Sequence, residues 1–129
     1  MAATRVLVLD DNQGIRRGVT LYLEACGFEV LDAADCASAL HLLSEVAFDV
    51  AVLDYSLPDG TALAVLERIG TAHPRMKAVV LTAYPSETLA ETTLRFGAAR
   101  FLTKPIDLSD LRLLLDELAA ANGETPPGD

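Results

Sequence analysis

Five short apolar runs recur along the chain with a helical pattern in every gap: RVLVL (5–9), FEVLDA (28–33), DVAVLD (49–54), KAVVLT (77–82) and ARFLT (99–103). Three of them are almost continuous in Val, Leu and Ala, as strands are when helices cover both faces of their sheet. In the first gap Ile15, Val19, Leu23 and Cys26 follow a helical stripe that stops at Gly27. In the second, Ala37, Leu40, Leu43 and Val46 carry the apolar positions. A third helix is expected from about Ala62 to Ala72, before Pro74. A fourth, Ser86 to Phe96, opens on a capping serine and ends at Gly97. The fifth carries Leu108, Leu111, Leu115 and Leu118 towards Asn122 and leaves Leu113 on the opposite face. Strict alternation with strands about two dozen residues apart predicts an α/β fold, one doubly wound parallel sheet of five strands with five helices. Right-handed crossovers then bring all the strand C-termini to one edge, where ligands and chemistry sit in such sheets.

Composition narrows the function. The chain has 129 residues, enough for one domain, and 51% of them are hydrophobic, too many for a disordered segment. We expect that domain over residues 1–122 and a flexible tail or linker stub, GETPPGD, over 123–129. No apolar run approaches a membrane span and the N-terminus lacks a signal-peptide pattern, so a cytoplasmic protein with no membrane contact is expected. Nineteen acidic residues against ten basic give a net charge of −9. That balance argues against direct nucleic-acid binding, which needs clustered Lys and Arg. Cys26 and Cys36 fit no metal or redox spacing and read as reduced, structural residues. His41 and His73 lack companions at catalytic spacing and read as surface or half-buried histidines.

The predicted edge collects chemistry. The first strand ends in Asp10 and Asp11, the third in Asp54, the fourth in Thr82, and Lys104-Pro105 follows the fifth. A phosphate-binding loop would place glycines after the first strand, so that backbone N–H groups could hold the anion. Two aspartates there instead repel free phosphate and invite a hard divalent cation, and Mg²⁺ held by Asp10, Asp11 and Asp54 is the expected ion. Beside a metal, the Asp54 carboxylate suits nucleophilic attack on phosphorus. Lys104 would balance charge on the transferring group and Thr82 would hydrogen-bond one of its oxygens.

In order along the chain, VLDD, VLDYSLPDG, VVLTA and FLTKP close the first, third, fourth and fifth strands. In this combination the chain resembles a two-component response regulator receiver domain of the chemotaxis-regulator type, the module phosphorylated on aspartate by a sensor histidine kinase. The resemblance runs from Arg5 to about Ala121 and implies the flavodoxin-like strand order 2-1-3-4-5. It implies that Asp54 is the phosphoacceptor, that Asp10 and Asp11 are the acidic metal pair, and that the Ser56 carbonyl is a further metal ligand. Thr82 and Phe101 would be switch residues, Lys104 would pair with the phosphoryl group, and the peptide before Pro105 would be cis. Ala62 stands where the family often has glycine, and Tyr84 is bulky at a position over the site, where it would govern access. Such a protein is a signalling switch that catalyses only its own phosphorylation and slow dephosphorylation. Its partners would be a sensor histidine kinase or histidine phosphotransfer protein, and an effector domain or second copy docked on the fourth helix, fifth strand and fifth helix. Two other functions fit the residues less well. A metal-dependent phosphohydrolase with an aspartyl phosphate usually needs a second acid for the leaving group, and Tyr55 and Ser56 follow Asp54 instead. A non-phosphorylated interaction module with the same fold would have no need of the full set of edge residues.

Overall fold

The computed structural model describes residues 3–123. Along the chain run β1 (Arg5–Leu9), α1 (Gln13–Ala25), β2 (Glu29–Ala33), α2 (Cys36–Glu45), β3 (Val50–Asp54), β4 (Ser56–Leu57), β5 (Gly60–Thr61), α3 (Ala62–Ala72), β6 (Lys77–Thr82), α4 (Glu87–Arg95), β7 (Arg100–Thr103) and α5 (Leu108–Gly123). Five strands pair in parallel in the order β2-β1-β3-β6-β7, and β4 and β5 form a separate antiparallel hairpin. Leaving out that hairpin, the main sheet has the expected doubly wound order. Apart from Gly123, which closes α5, the expected tail lies outside the described residues.

The continuous apolar runs divide between two cores with the period of a strand. Leu7 and Leu9 of β1, Ala51 and Leu53 of β3, and Ala78 and Val80 of β6 pack with α2 and α3. Their alternates Val6 and Val8, Val50 and Val52, and Val79 and Leu81 pack with Leu23 of α1 and Leu111, Leu115 and Leu118 of α5. With β3 central and buried throughout, its last residue, Asp54, stands at the end of the most enclosed strand.

Helix ends obey local chemistry. Asn12, Asp35, Thr61 and Ser86 cap α1, α2, α3 and α4, each accepting a backbone N–H of the first turn. Two faces differ from the sequence reading. In α2 the buried residues are Cys36, Ala39 and Leu43, while Ala37 is exposed and Leu40 and Val46 are only half-buried. A spacing of three drifts round a helix of 3.6 residues per turn, so those four positions cannot share one face. In α1, Ile15, in the first turn, is exposed at the rim of a cleft rather than packed in the core.

Candidate functional site

The pairing of the strands carries the edge residues into one cluster. Beyond the end of β1 the Asp10 N–H donates to the Ala33 carbonyl at 3.1 Å, and beyond β7 the Lys104 N–H donates to the Thr82 carbonyl at 2.8 Å. Tyr55 continues the ladder from Asp54 by donating to Leu81 at 2.9 Å. One carboxylate oxygen from each of Asp10, Asp11 and Asp54 then lies within 4.8 Å of the others. Asp10 and Asp54 are buried and Asp11 is exposed.

Like charges so close need compensation, and part of it comes from the protein itself. Lys104 Nζ lies 2.9 Å from Asp10 Oδ2 and 3.3 Å from Asp54 Oδ2. Asp10 is held at every polar atom: its Oδ1 accepts the Asn12 N–H at 2.9 Å and its carbonyl accepts Arg16 Nη1 at 2.8 Å. Asp54 is less well compensated. Burial raises its carboxyl above the ordinary value, Lys104 only partly reverses this, and the charges of Asp10 and Asp11 add to the rise. Asp10 and Asp54 also line a cleft of about 290 Å³ whose other walls include the apolar side chains of Val8, Val19, Val52 and Leu81. Burial alone would lower the Lys104 ammonium, but the hydrogen bond and charge of Asp10, then the charge of Asp54, outweigh it and raise it.

Around this centre stand the remaining residues of the sequence reading. Thr82 is buried, and its Oγ1 accepts the Tyr84 N–H at 3.1 Å, which leaves its hydroxyl proton free to donate. Phe101 is half-buried against the α2–α3 core. The Lys104–Pro105 peptide is cis. Tyr84, two residues past Thr82, is 86% exposed. Ser56 lies two residues past Asp54 in β4, paired with Thr61 of β5.

Two supporting residues escaped the sequence reading. Arg16 ties Asp10 to β2, since its Nε also meets Asp32 Oδ2 at 3.1 Å. Asp59, at the tip of the β4–β5 hairpin, accepts the N–H groups of Cys36 at 2.8 Å and Ala37 at 3.0 Å, the first two residues of α2. Those bonds hold its carboxyl below the ordinary value. Cys36 Sγ meets the Thr61 carbonyl at 3.4 Å, and burial pushes its thiol up to about 11. The hairpin that follows Asp54 is therefore strapped to the start of α2. The Pro58-Asp59-Gly60 triplet was the available signal, being turn chemistry with Gly60 at φ +151°.

The donor set is three carboxylates with hard oxygen atoms, gathered within reach of one ion and short of positive charge, so it fits a small divalent cation. Comparison with known proteins points the same way, since the profile of the response regulator receiver domain matches residues 6–116. The chain belongs to this family. The receiver domain is 35% identical over 115 residues to the response regulator protein PilR of Pseudomonas aeruginosa, covering 89% of this chain and 26% of PilR. It is 33% identical over 122 residues to the photosynthetic apparatus regulatory protein RegA of Rhodovulum sulfidophilum, covering 95% of this chain and 64% of RegA. It thus spans about a quarter of the length of PilR and under two thirds of RegA. A CheY-like receiver domain from Methanospirillum hungatei superposes with a TM-score of 0.90 at 29% identity, covering 94% of this chain and 97% of its own. A Burkholderia pseudomallei response regulator, solved with a phosphorylated aspartic acid, a calcium ion and citrate, gives 0.83 at 26% identity, covering 92% and 69%. The receiver domain is a module of two-component signal transduction, and among its described residues no helix is long and apolar enough to cross a membrane.

Proposed function

We propose that this receiver domain accepts a phosphoryl group on Asp54, in the cytoplasm, from a sensor histidine kinase or a histidine phosphotransfer protein. The observation that carries this reading is the meeting of Asp10, Asp11, Asp54 and Lys104 at one sheet edge in a chain of this family. The response regulator with a phosphorylated aspartic acid and a calcium ion supports it from a solved relative. Asp10, Asp11, Asp54 and the Ser56 carbonyl would hold Mg²⁺, which supplies neutralising positive charge to the phosphoryl oxygens. An Asp54 carboxylate oxygen forms the new bond to phosphorus, while the donor's bond to phosphorus breaks and its electron pair leaves with the donor nitrogen. Lys104 then meets a phosphoryl oxygen with the ammonium it now shares between Asp10 and Asp54.

The Thr82 hydroxyl, with its proton free, donates to a second phosphoryl oxygen, and Phe101 follows into the space that this movement leaves. Output passes through α4, β7 and α5. Of α4, only Thr93 is buried, and the hydroxyls of Thr92 and Thr93 turn back onto the carbonyls of Thr88 and Ala90, so little holds the helix in one place. On α5, Leu113 is 63% exposed and offers an apolar contact to an effector domain or a second copy. The net charge of −9 supports a protein partner rather than direct nucleic-acid binding. Tyr84, exposed beside Thr82, shields the phosphoryl group from water, so Tyr84→Ala speeds its loss.

Incubation with Mg²⁺ and acetyl phosphate, read by intact mass, tests the central step. One added phosphoryl group, absent with chelator and in Asp54→Asn, is the expected result. Turnover of assorted phosphate esters would mark a phosphohydrolase, and no adduct would mark an unphosphorylated interaction module.

A further inference from the structure

We infer that Arg16 is a positioning residue for the acidic pair, fixing the peptide that joins Asp10 to Asp11. The inference rests on the Mg²⁺ reading of the site. The carbonyl that Arg16 Nη1 reaches at 2.8 Å belongs to that peptide, so the bond sets the plane from which the Asp11 side chain departs. Asp11 needs the help. Its neighbour Asp10 is held at both carboxylate oxygens, whereas among the described residues no hydrogen bond fixes the exposed Asp11 carboxylate. Its place beside Asp10 and Asp54 therefore depends on the backbone that carries it.

Arg16 suits the task through its shape. Its Nε is anchored to Asp32 Oδ2 at 3.1 Å, just as its Nη1 meets the Asp10 carbonyl, and its side chain is only 18% exposed. Two donors fixed in one plane, one anchored on β2 and one on the loop after β1, hold orientation as well as distance. A lysine offers a single charged point on a flexible stem and would hold distance alone. Charge and position make opposite demands here. A guanidinium near three carboxylates opposes cation binding by Coulomb repulsion, so its removal without loss of geometry would tighten Mg²⁺ binding. Loss of geometry would weaken it.

The sign of the effect is the test. Mg²⁺ alone is titrated into the full chain, and binding is read from backbone amide shifts, with thermal melts confirming that each variant is folded. In Arg16→Met the affinity falls about tenfold, the scale on which partners that orient metal ligands act. Arg16→Lys recovers part of the loss, and the Asp11 amide shift moves in the metal-free Arg16→Met protein. Arg16→Gln removes the same positive charge with a shorter polar side chain, so charge and position still oppose each other, and it carries the test with the same expected fall if Arg16→Met fails to fold. Unchanged or tighter Mg²⁺ binding in the folded variants would overturn the role of Arg16 while leaving the site reading intact. A wild-type protein that binds no Mg²⁺ would overturn both.

Discussion

Lys104 Nζ donates to Asp10 Oδ2 at 2.9 Å, closer than its 3.3 Å approach to Asp54. The site is thus cross-linked by one ammonium that favours the residue not proposed to react. Asp54 keeps the weaker share, together with the burial that raises its carboxyl. Asp54, the proposed nucleophile, is held ready without being locked, and the Lys104 ammonium stands beside the place where phosphoryl charge would arrive.

Replacing Lys104 with methionine should therefore act twice. Two buried carboxylates lose their cation, and a charged hydrogen bond of this kind is worth about 1.5–3 kcal/mol. The lower part of that range is expected, because the Lys104 side chain retains 18% exposure and solvent screens what it loses. Urea denaturation without metal should show the drop. Phosphorylation by acetyl phosphate should slow in parallel, and an unchanged rate would remove Lys104 from the transfer step.

Asp54→Asn should stabilise the metal-free protein while abolishing the phosphorylated adduct. Because the folded-state carboxyl is raised, the native protein holds that proton more tightly than the unfolded chain does. Wild-type stability from this group consequently falls as pH rises from the unfolded value, about 3.9, through the folded one. The advantage of Asp54→Asn should be small near pH 4 and grow towards neutrality. Urea midpoints of the two proteins across that interval check the sign.

Asp59 should show the opposite dependence. Its carboxyl is lowered by the Cys36 and Ala37 N–H groups, so its contribution is present above the unfolded value and disappears as pH falls through the folded one. Asp59→Ala should lower the melting temperature by a nearly constant amount between about pH 5 and 7, and by progressively less in stronger acid. A difference that persists after protonation would mean that the strap acts through packing.

Leu113→Glu should leave the fold and the chemistry alone. An exposed helix position of this kind changes stability by no more than about 0.5 kcal/mol. Asp54 phosphorylation should proceed as in the wild type. Sedimentation before and after phosphorylation should reveal the difference, with any phosphate-dependent association lost in the variant. A variant that still assembles would move the contact elsewhere.

The strands were legible because β1, β3 and β6 are buried on both faces, which writes them as unbroken apolar runs. Reading the residue at each run's end then sufficed to gather Asp10, Asp54, Thr82 and Lys104, since parallel strands share one C-terminal edge. The β4–β5 hairpin was not legible, because two-residue strands have no room for a period. Arg16 and Asp59 were hidden for a related reason. Each is an ordinary charged residue whose meaning comes from a partner 16 or 22–23 residues away in sequence. Even the face of α2 needed the fold, because Ala, Leu and Cys occur all round that helix and only its neighbours decide which are covered.

The enclosure of β3 contrasts with the thin seating of α4, and the contrast has a dynamic consequence. Amide hydrogens of β3, covered on both faces and paired on both sides, should exchange with solvent only when the whole domain opens. Those of α4, anchored by the one buried side chain of Thr93, should exchange through small local openings. The proposed chemical event is thereby tied to the last part of the molecule to come apart, and its proposed readout to one of the first.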